Sequence, residues 1–182
     1  MISTTSIVET QTQTQTGAET HDPSAAPDAT VRLHADHMSV KRLGRWTAAE
    51  RFEVKARRGS VVLDLRSPEL PAGELVVELD MDRAMLKLLL PDDAVVEYRE
   101  VAWTGRGKVK DGVGQQNAKK GEPAPDARRI RLVGRIHDGE VRVNRGGVAT
   151  LSAMFSREYV DDLRRAHRDG TWPTVDDPTR EA

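Results

Sequence analysis

Apolar and charged residues alternate along the middle of the chain. Between residues 51 and 90 the alternation produces four sets of evenly spaced apolar residues, which are Phe52, Val54 and Ala56; Val61, Leu63 and Leu65; Leu75, Val77 and Leu79; and Ala84, Leu86, Leu88 and Leu90. A period of two residues is typical of a β-strand with one buried face and one solvated face. Turn-forming or charged residues separate the runs at Arg58-Gly59, Ser67-Pro68, Pro71-Ala72-Gly73 and Asp80-Met81-Asp82. This stretch therefore predicts short strands that share one core.

The alternation also assigns individual side chains to the two faces of the strands. Leu63 and Val77 fall on the buried face, whereas Asp64 and Glu78 fall on the solvent face. A buried, unpaired charge costs several kcal/mol, which is a large part of the roughly 5 to 15 kcal/mol that stabilises a domain. We therefore expect aspartate at Leu63 or Val77 to unfold the protein, and lysine at Asp64 or Glu78 to have little effect.

The same plan of strand, short break and strand recurs along the chain. It is written FEVKA-RRG-SVVLDL, VVELD-MDR-AMLKLLL and RIRLV-GRIHDG-EVRVN, and Val31 to Leu43 gives a first strand pair before them. Such units fit either a β-solenoid or a meandering two-sheet sandwich, because each unit covers the apolar face of its neighbour. The predicted fold class is mainly β, a β-solenoid-like or two-sheet β domain with a C-terminal α-helix.

Composition divides the chain into three segments. Residues 1–30 are polar, with the run TQTQTQ and scattered prolines, and are predicted to form a disordered N-terminal tail. Residues 31–150 form the β domain, with an insertion loop over residues 104–127 that is rich in Gly, Lys, Gln and Pro. Residues 151–182 contain the C-terminal helix and tail. A chain of 182 residues that is 37% hydrophobic has material for one core.

The helix is predicted over Ser156 to Asp169. Ser156 is a natural N-cap and Gly170 a natural stop, and acidic residues lie near the start of the helix with basic residues near its end. Two roles are open for this segment. It can cap an open end or edge of the sheet, which β proteins must protect. Alternatively, Phe155, Tyr159, Leu163 and Trp172 form a docking peptide for a protein partner.

The insertion loop carries a local excess of basic residues that includes Lys108 and Lys110. Three interpretations are a solvated insertion with a small hairpin at the turn pair Asp111-Gly112, a partner-binding arm that uses the two lysines, and a nucleic-acid site. The sequence GRGKVK lacks the spacing of a phosphate-binding loop, and no aromatic residues are interleaved with the later basic residues. The formal net charge is −1, which does not attract nucleic acid. We therefore expect no nucleic-acid partner.

No catalytic or ligand-binding constellation stands out. Cysteine is absent, which excludes disulfides, thiolate metal sites and cysteine nucleophiles. His34, Asp36 and His37 lie close together, but no fourth ligand follows at a diagnostic spacing, so an exposed turn is favoured. Established hydrolase, dinucleotide and calcium motifs are missing. We expect no enzymatic activity, no cofactor, no metal and no small-molecule ligand.

The chain also lacks the sequence features of membrane proteins. Residues 1–8 have neither a basic start nor a continuous apolar core, as a secretory signal would. No run approaches the roughly 20 apolar residues that span a bilayer. The sequence therefore predicts no membrane span and a cytoplasmic location.

The strands from about Met38 to Val143 resemble the C-terminal domain of the LiaF-like, cell-wall-active antibiotics response family and related uncharacterised actinobacterial proteins. The segments that carry the resemblance are RRGSVVLDLRSPEL, ELVVELDMDRAMLKLLLPDDAVVEYR and IHDGEVRV. In that family, repeated strands build a β-solenoid-like module. The strands include a motif of apolar residues around a Leu-Pro pair, which corresponds here to Leu86 to Val96. The chain departs from it in its insertion loop, its helical tail and the lack of the preceding transmembrane helices. The resemblance implies a non-enzymatic module in envelope-stress signalling.

Together these observations predict a non-enzymatic protein-interaction or assembly module, with a protein partner or self-association. Two alternatives stay open at this point. One is a structural subunit that oligomerises through its sheet edges, and the other is a cryptic enzyme.

Overall fold

The computed structural model describes residues 29–111 and 127–180, in which ten strands and two helices are present. The strands are β1 (Thr30–Asp36), β2 (Ser39–Arg42), β3 (Arg51–Arg57), β4 (Ser60–Asp64), β5 (Glu74–Asp82), β6 (Met85–Leu90), β7 (Val95–Thr104), β8 (Lys108–Asp111), β9 (Arg129–His137) and β10 (Glu140–Arg145). The helices are α1 (Gly146–Met154) and α2 (Arg157–Asp169).

The strands form two five-stranded sheets in which every pairing is parallel. The first sheet has the order β1-β3-β5-β9-β7, and the second has the order β2-β4-β6-β10-β8. Each consecutive strand pair, here called a coil, contributes one strand to each sheet. The prediction of a mainly β, two-sheet domain with a C-terminal helix is confirmed.

The inward faces of the two sheets enclose the main core. All the apolar residues of the four predicted sets are buried and belong to this one cluster. Burying a Leu, Val or Phe side chain contributes about 1.5 to 3 kcal/mol, so this cluster supplies most of the favourable free energy of folding. The face assignments of Leu63 and Val77 are confirmed, since both side chains are 0% exposed.

The two strands of a coil are joined by a tight corner with a recurring backbone conformation. The first residue of each corner has a positive φ angle, and these residues are His37, Arg58, Arg83, Gly105 and Asp138. The corners also stack, because the amide of Arg58 donates to the carbonyl of Asp82 at 2.9 Å and three other corners repeat this contact. Because every corner begins with a residue in the left-handed backbone conformation, the chain turns from the first sheet to the second in the same direction in each coil.

The order of the coils differs from the order of the sequence at one end. The β9-β10 coil lies between β5-β6 and β7-β8, so the last coil in the sequence is the fourth in space. Gly134 of β9 permits this insertion, because it has a φ of 104° and a Cβ there would lie 2.2 Å from the carbonyl oxygen of Leu79. Strand β7 also has a register shift between Glu97 and Glu100.

Some predicted boundaries are wrong. The predicted break at Asp80-Met81-Asp82 is strand, because Met81 points into the core and is 2% exposed, and the corner falls at Arg83 and Ala84. Residues 108–111, predicted as the start of a solvated hairpin, form the edge strand β8, which pairs in parallel with β10. The predicted N-terminal tail lies outside the described residues up to residue 28, and so do residues 112–126 of the insertion loop.

Candidate functional site

Helix α1 follows strand β10 without a connecting loop. Its Ala149 and Ala153 side chains are both 0% exposed and pack on the outer face of the second sheet. This helix was not predicted from the sequence, because it begins with Gly146 and Gly147 and has neither a capping side chain nor an acidic first turn. Small side chains on the buried side allow the helix to approach the strands closely.

Helix α2 forms as the sequence predicts. The Ser156 side chain accepts a hydrogen bond from the amide of Tyr159 at 3.1 Å, and Gly170 ends the helix with a φ of 68°. An N-cap of this type contributes about 1 kcal/mol to a helix of this length. Helices α1 and α2 and residues 170–180 together are here called the C-terminal layer.

The C-terminal layer covers the outer face of the second sheet. A second hydrophobic cluster forms there from Val62, Leu89, Ala149, Ala153 and Val175, with Leu43 and Tyr159 against it. The predicted cap on an open end or edge is therefore wrong in its location. The buried outer side chains of β4 and β6 show that a face of the sheet is protected instead.

A buried ion pair fastens the layer to strand β4. Arg66 is bidentate to Asp64, with Nε–Oδ1 at 2.9 Å and Nη2–Oδ2 at 2.8 Å. The same guanidinium donates to the Thr150 hydroxyl of α1 and to the carbonyls of Val175 and Asp176. All five N–H donors of Arg66 are used, so the pair is a structural tie without capacity for a ligand.

The solvent-face assignment of Asp64 is wrong. Its side chain is 0% exposed, and its carboxylate also accepts from the amides of Gly44 and Arg66, both at 3.1 Å. Asp64 lies on the outer side of its strand, as the alternation requires, but the C-terminal layer covers that side. Glu78 lies on the outer side of the first sheet and is exposed, as assigned.

The tail after α2 is held by polar contacts of its own. One carboxylate oxygen of Asp162 accepts from the amides of Thr174 and Val175, at 2.7 and 3.0 Å. At the other side of the layer, Lys41 of β2 pairs with Glu158 at 3.2 Å. The layer is thus fixed in place although it carries much apolar surface.

Large apolar side chains are exposed mainly on this layer. Among the described residues, seven of the nine exposed large hydrophobic side chains fall between residues 148 and 172, and these are Val148, Leu151, Met154, Phe155, Val160, Leu163 and Trp172. Phe155 is 88% exposed and Trp172 is 65% exposed. Such a concentration, on elements that are otherwise well anchored, is typical of a contact surface for another molecule.

The structure brings the predicted docking residues together on one layer. Phe155, Leu163 and Trp172 are exposed, whereas Tyr159 is half-buried against the second cluster and serves the fold as well. The contribution of α1 to this surface was not predicted. A signal was present, because Val148, Leu151 and Phe155 are spaced three and four residues apart, which places them on one side of a helix.

The predicted basic residues lie on a different element. Lys108 and Lys110 of β8 pair with the carboxylate of Glu140 on β10, at 3.3 and 3.2 Å, and Arg142 pairs with it as well. The Arg142 guanidinium and then the two lysines hold the pKa of Glu140 at about 2, below its usual 4.5. This cluster stabilises the β8 edge, and the two lysines do not join the exposed apolar surface.

The lowered pKa of Glu140 predicts a pH dependence. The ionised carboxylate stabilises the folded state above about pH 4.5, and this contribution is lost as the pH falls towards about 2. Replacing Glu140 by Gln should lower the stability at pH 7 by about 1 kcal/mol or less, because the two lysines are more than half exposed. The variant should also flatten the acid limb of the curve of unfolding free energy against pH.

Glu97→Gln is the matched control for this prediction, since Glu97 is an exposed strand glutamate without an ion pair in the described residues. Urea melts of both variants across the acid range measure the effect. The same acid limb in Glu140→Gln and in the unsubstituted protein would contradict the assignment.

Two shallow grooves lie near β1, the larger at the β1-β2 end and the smaller on the first sheet. One has a volume of about 410 Å³ and the other about 230 Å³, and His34 and Lys55 line both. The exposed turn predicted for His34, Asp36 and His37 is confirmed for His37 only. His34 and Asp36 are exposed but lie in strand β1, and Asp36 Oδ1 and His37 Nδ1 are 2.6 Å apart. No group of three or more potential metal ligands occurs within residues 29–111 and 127–180.

Neither helix in these ranges is long and apolar enough to cross a membrane.

No protein-family model, curated protein or solved structure matches the chain. The resemblance to the LiaF-like domain therefore stays a prediction.

Proposed function

We propose that this protein is a non-catalytic interaction module that binds a protein partner through the exposed apolar side chains of its C-terminal layer. The observation that carries the proposal is the concentration of exposed large hydrophobic residues on that layer, with Phe155 and Trp172 the most exposed. Aromatic side chains of this kind contribute a disproportionate share of the binding free energy at protein interfaces. The two-sheet body then acts as a rigid support.

The attachment of the layer supports the same proposal. The Arg66 guanidinium and the Asp162 carboxylate hold α1 and the tail in place, so the exposed side chains are presented on an ordered surface. Little conformational entropy is then lost on binding, which favours affinity. The resemblance of the strands from about Met38 to Val143 to the LiaF-like domain suggests envelope-stress signalling as the pathway.

The test of this proposal is loss of a binding partner on polar substitution. The doubly substituted variant Phe155→Ser with Trp172→Ser should keep its melting temperature, because both side chains are largely exposed. It should bind a partner purified from the native host at least tenfold more weakly, which corresponds to about 1.4 kcal/mol. Titration of the purified partner by calorimetry measures the dissociation constant.

Tyr98→Ser is the matched control, because Tyr98 is an exposed aromatic residue on β7, at 39% exposure, away from the C-terminal layer. This control should bind like the unsubstituted protein. Equal affinity of the doubly substituted variant and the control would refute the proposal.

A further inference from the structure

The main core reaches the surface at the two ends of the stack of coils. The partly buried hydrophobic residues that pack against it are Val31, Val40, Val96, Trp103 and Val109. All of them belong to the two terminal coils, β1-β2 at one end and β7-β8 at the other. Among the described strands, each inner coil is covered by a neighbour on both sides, whereas each terminal coil is covered on one side only.

Within residues 29–111 and 127–180, no strand pairs with the outer side of either terminal strand of the first sheet, β1 or β7. The amide of His37 donates to Arg57 of β3, and successive amides point to opposite sides of a strand. The amides of Arg32, His34 and Asp36 therefore point away from β3. At the other end, the carbonyl of Thr104 accepts from Asp138. The backbone groups of Val101 and Trp103 consequently point away from β9.

The registers within the sheets define how a further coil would align. Following the first sheet from strand to strand, Leu33 shares a row with Val54, Leu79, Gly134 and Val101. A β1 strand placed next to β7 in the same register would align Val101 with Leu33. In that parallel ladder the amide of His34 donates to the carbonyl of Val101, and the amide of Trp103 donates to the carbonyl of His34.

The side chains of the two ends are complementary in this register on the first sheet. Glu100 falls opposite Arg32, so the Glu100-Arg131 pair of one end meets the Arg32-Glu53 pair of the other, acid facing base. Trp103 falls opposite Ala35, so a large inward-facing side chain meets a small one. The 410 Å³ groove at the β1-β2 end is lined by Leu33 among others, so this end is concave.

In the second sheet, the same register also brings matching inward-facing side chains of the two ends opposite each other. Val40 falls opposite Val109, and Arg42 falls opposite Asp111. The Arg42 Nε is buried without a hydrogen-bond partner, and the Asp111 carboxylate already pairs with Arg145 of its own chain, so this row brings a cation up to an ion pair. One outward pair is repulsive, since Lys41 falls opposite Lys110. Those two lysines are each neutralised within their own chain, by Glu158 and Glu140.

We propose that copies of this chain stack head to tail, with the β1-β2 end of one copy pairing in parallel with the β7-β8 end of the next. The surfaces joined are different on the two partners, so the contact does not close on itself and leads to open-ended chains of copies. The proposal is independent of the docking function of the C-terminal layer.

The experiment measures the mass of the full chain in solution against its concentration by light scattering. The weight-average mass should rise continuously from the single-chain 20.2 kDa and pass the mass of a dimer. His34→Pro should abolish this rise, because it removes an amide that the stack uses and the single chain does not, and proline is tolerated at such edge positions. His34→Thr, which keeps the amide, should associate like the unsubstituted protein.

A charge reversal tests the register. Arg32→Glu should weaken association, because two glutamates then face each other, and Arg32→Lys, which keeps the positive charge, should associate like the unsubstituted protein. Melting curves confirm that each variant is folded, and the Phe155→Ser with Trp172→Ser variant should still stack. A mass that stays at 20.2 kDa at every concentration, a rise that stops at a dimer, or equal association of Arg32→Glu and Arg32→Lys would overturn the proposal.

Discussion

Replacing Leu63 by Asp is expected to unfold the protein at 25 °C. Leu63 is 0% exposed in the main core, and the same holds for Val77. An isolated carboxylate in that position loses its hydration without gaining a partner, and the lost leucine leaves a cavity. The combined cost is several kcal/mol or more, comparable with the roughly 5 to 15 kcal/mol of a whole domain. Far-UV circular dichroism and thermal melting would show the loss of structure.

Glu78→Lys is the control for this prediction, because Glu78 is exposed on the outer side of β5. Its unfolding free energy should stay within about 0.5 kcal/mol of the unsubstituted protein. Similar melting of Leu63→Asp and Glu78→Lys would mean that the assignment of faces is wrong.

Replacing Asp64 by Asn is expected to cost about 3 to 5 kcal/mol, because it leaves the Arg66 guanidinium charged and buried. Arg66 side-chain exposure is 7%, and this side chain ties strand β4 to both α1 and the tail. The loss should therefore loosen the C-terminal layer as well as lower the melting temperature. Urea unfolding with tryptophan fluorescence and near-UV circular dichroism would follow both effects.

A second Arg-Asp pair provides the matched control for this substitution. Arg135 is bidentate to Asp80, with Nε–Oδ1 at 2.8 Å, but the two side chains are 75% and 47% exposed. Asp80→Asn should cost about 1 kcal/mol or less, because solvent screens the pair. If the two substitutions cost the same, the Asp64-Arg66 pair does not hold the layer.

The alternation of residues predicted the strands and the main core well, because a period of two reports directly on which side chains share a dry face. It did not predict the position of the β9-β10 coil. Burial of Leu132 or Val141 is the same whichever coil lies beside it, so alternation contains little information on the order of neighbours. That order depends on backbone detail such as the positive φ of Gly134.

The second buried face was also missed, although the sequence carries a signal for it. Strand β4 has the continuous apolar run Val61 to Leu63, and β6 ends in Leu88, Leu89 and Leu90. Runs without alternation are typical of strands that are buried on both faces. Val62 and Leu89 indeed pack under the C-terminal layer. The burial of Asp64 follows from this cover and could not be predicted from alternation alone.

The candidate site was predicted in part. Phe155, Leu163 and Trp172 stand out in the sequence because they are large apolar residues in a charged segment, and the structure exposes them. Val148 and Leu151 were not predicted as site residues. Helix α1 lacks the usual helix signals, and without a predicted helix the spacing of these two residues does not indicate a common face. The lysines of β8 were predicted as partner-binding residues because of their positive charge, but Glu140 neutralises part of that charge.

The most direct test of the account is which strands lie next to each other in the first sheet. The chain has no cysteine, so a variant with two cysteines can form only one intramolecular disulfide. Glu78 on β5 lies opposite Val133 on β9, and Val133 lies opposite Glu100 on β7. Neighbouring strands are about 4.8 Å apart, within the span of a disulfide, whereas strands two apart exceed its limit of about 7 Å.

The measurement is the yield of disulfide under mild oxidation in two variants. Glu78→Cys with Val133→Cys should cross-link in high yield while the protein stays folded, and Glu78→Cys with Glu100→Cys should not. The reverse result would place β7 beside β5, in the order of the sequence, and would contradict the stacking of coils on which the account rests.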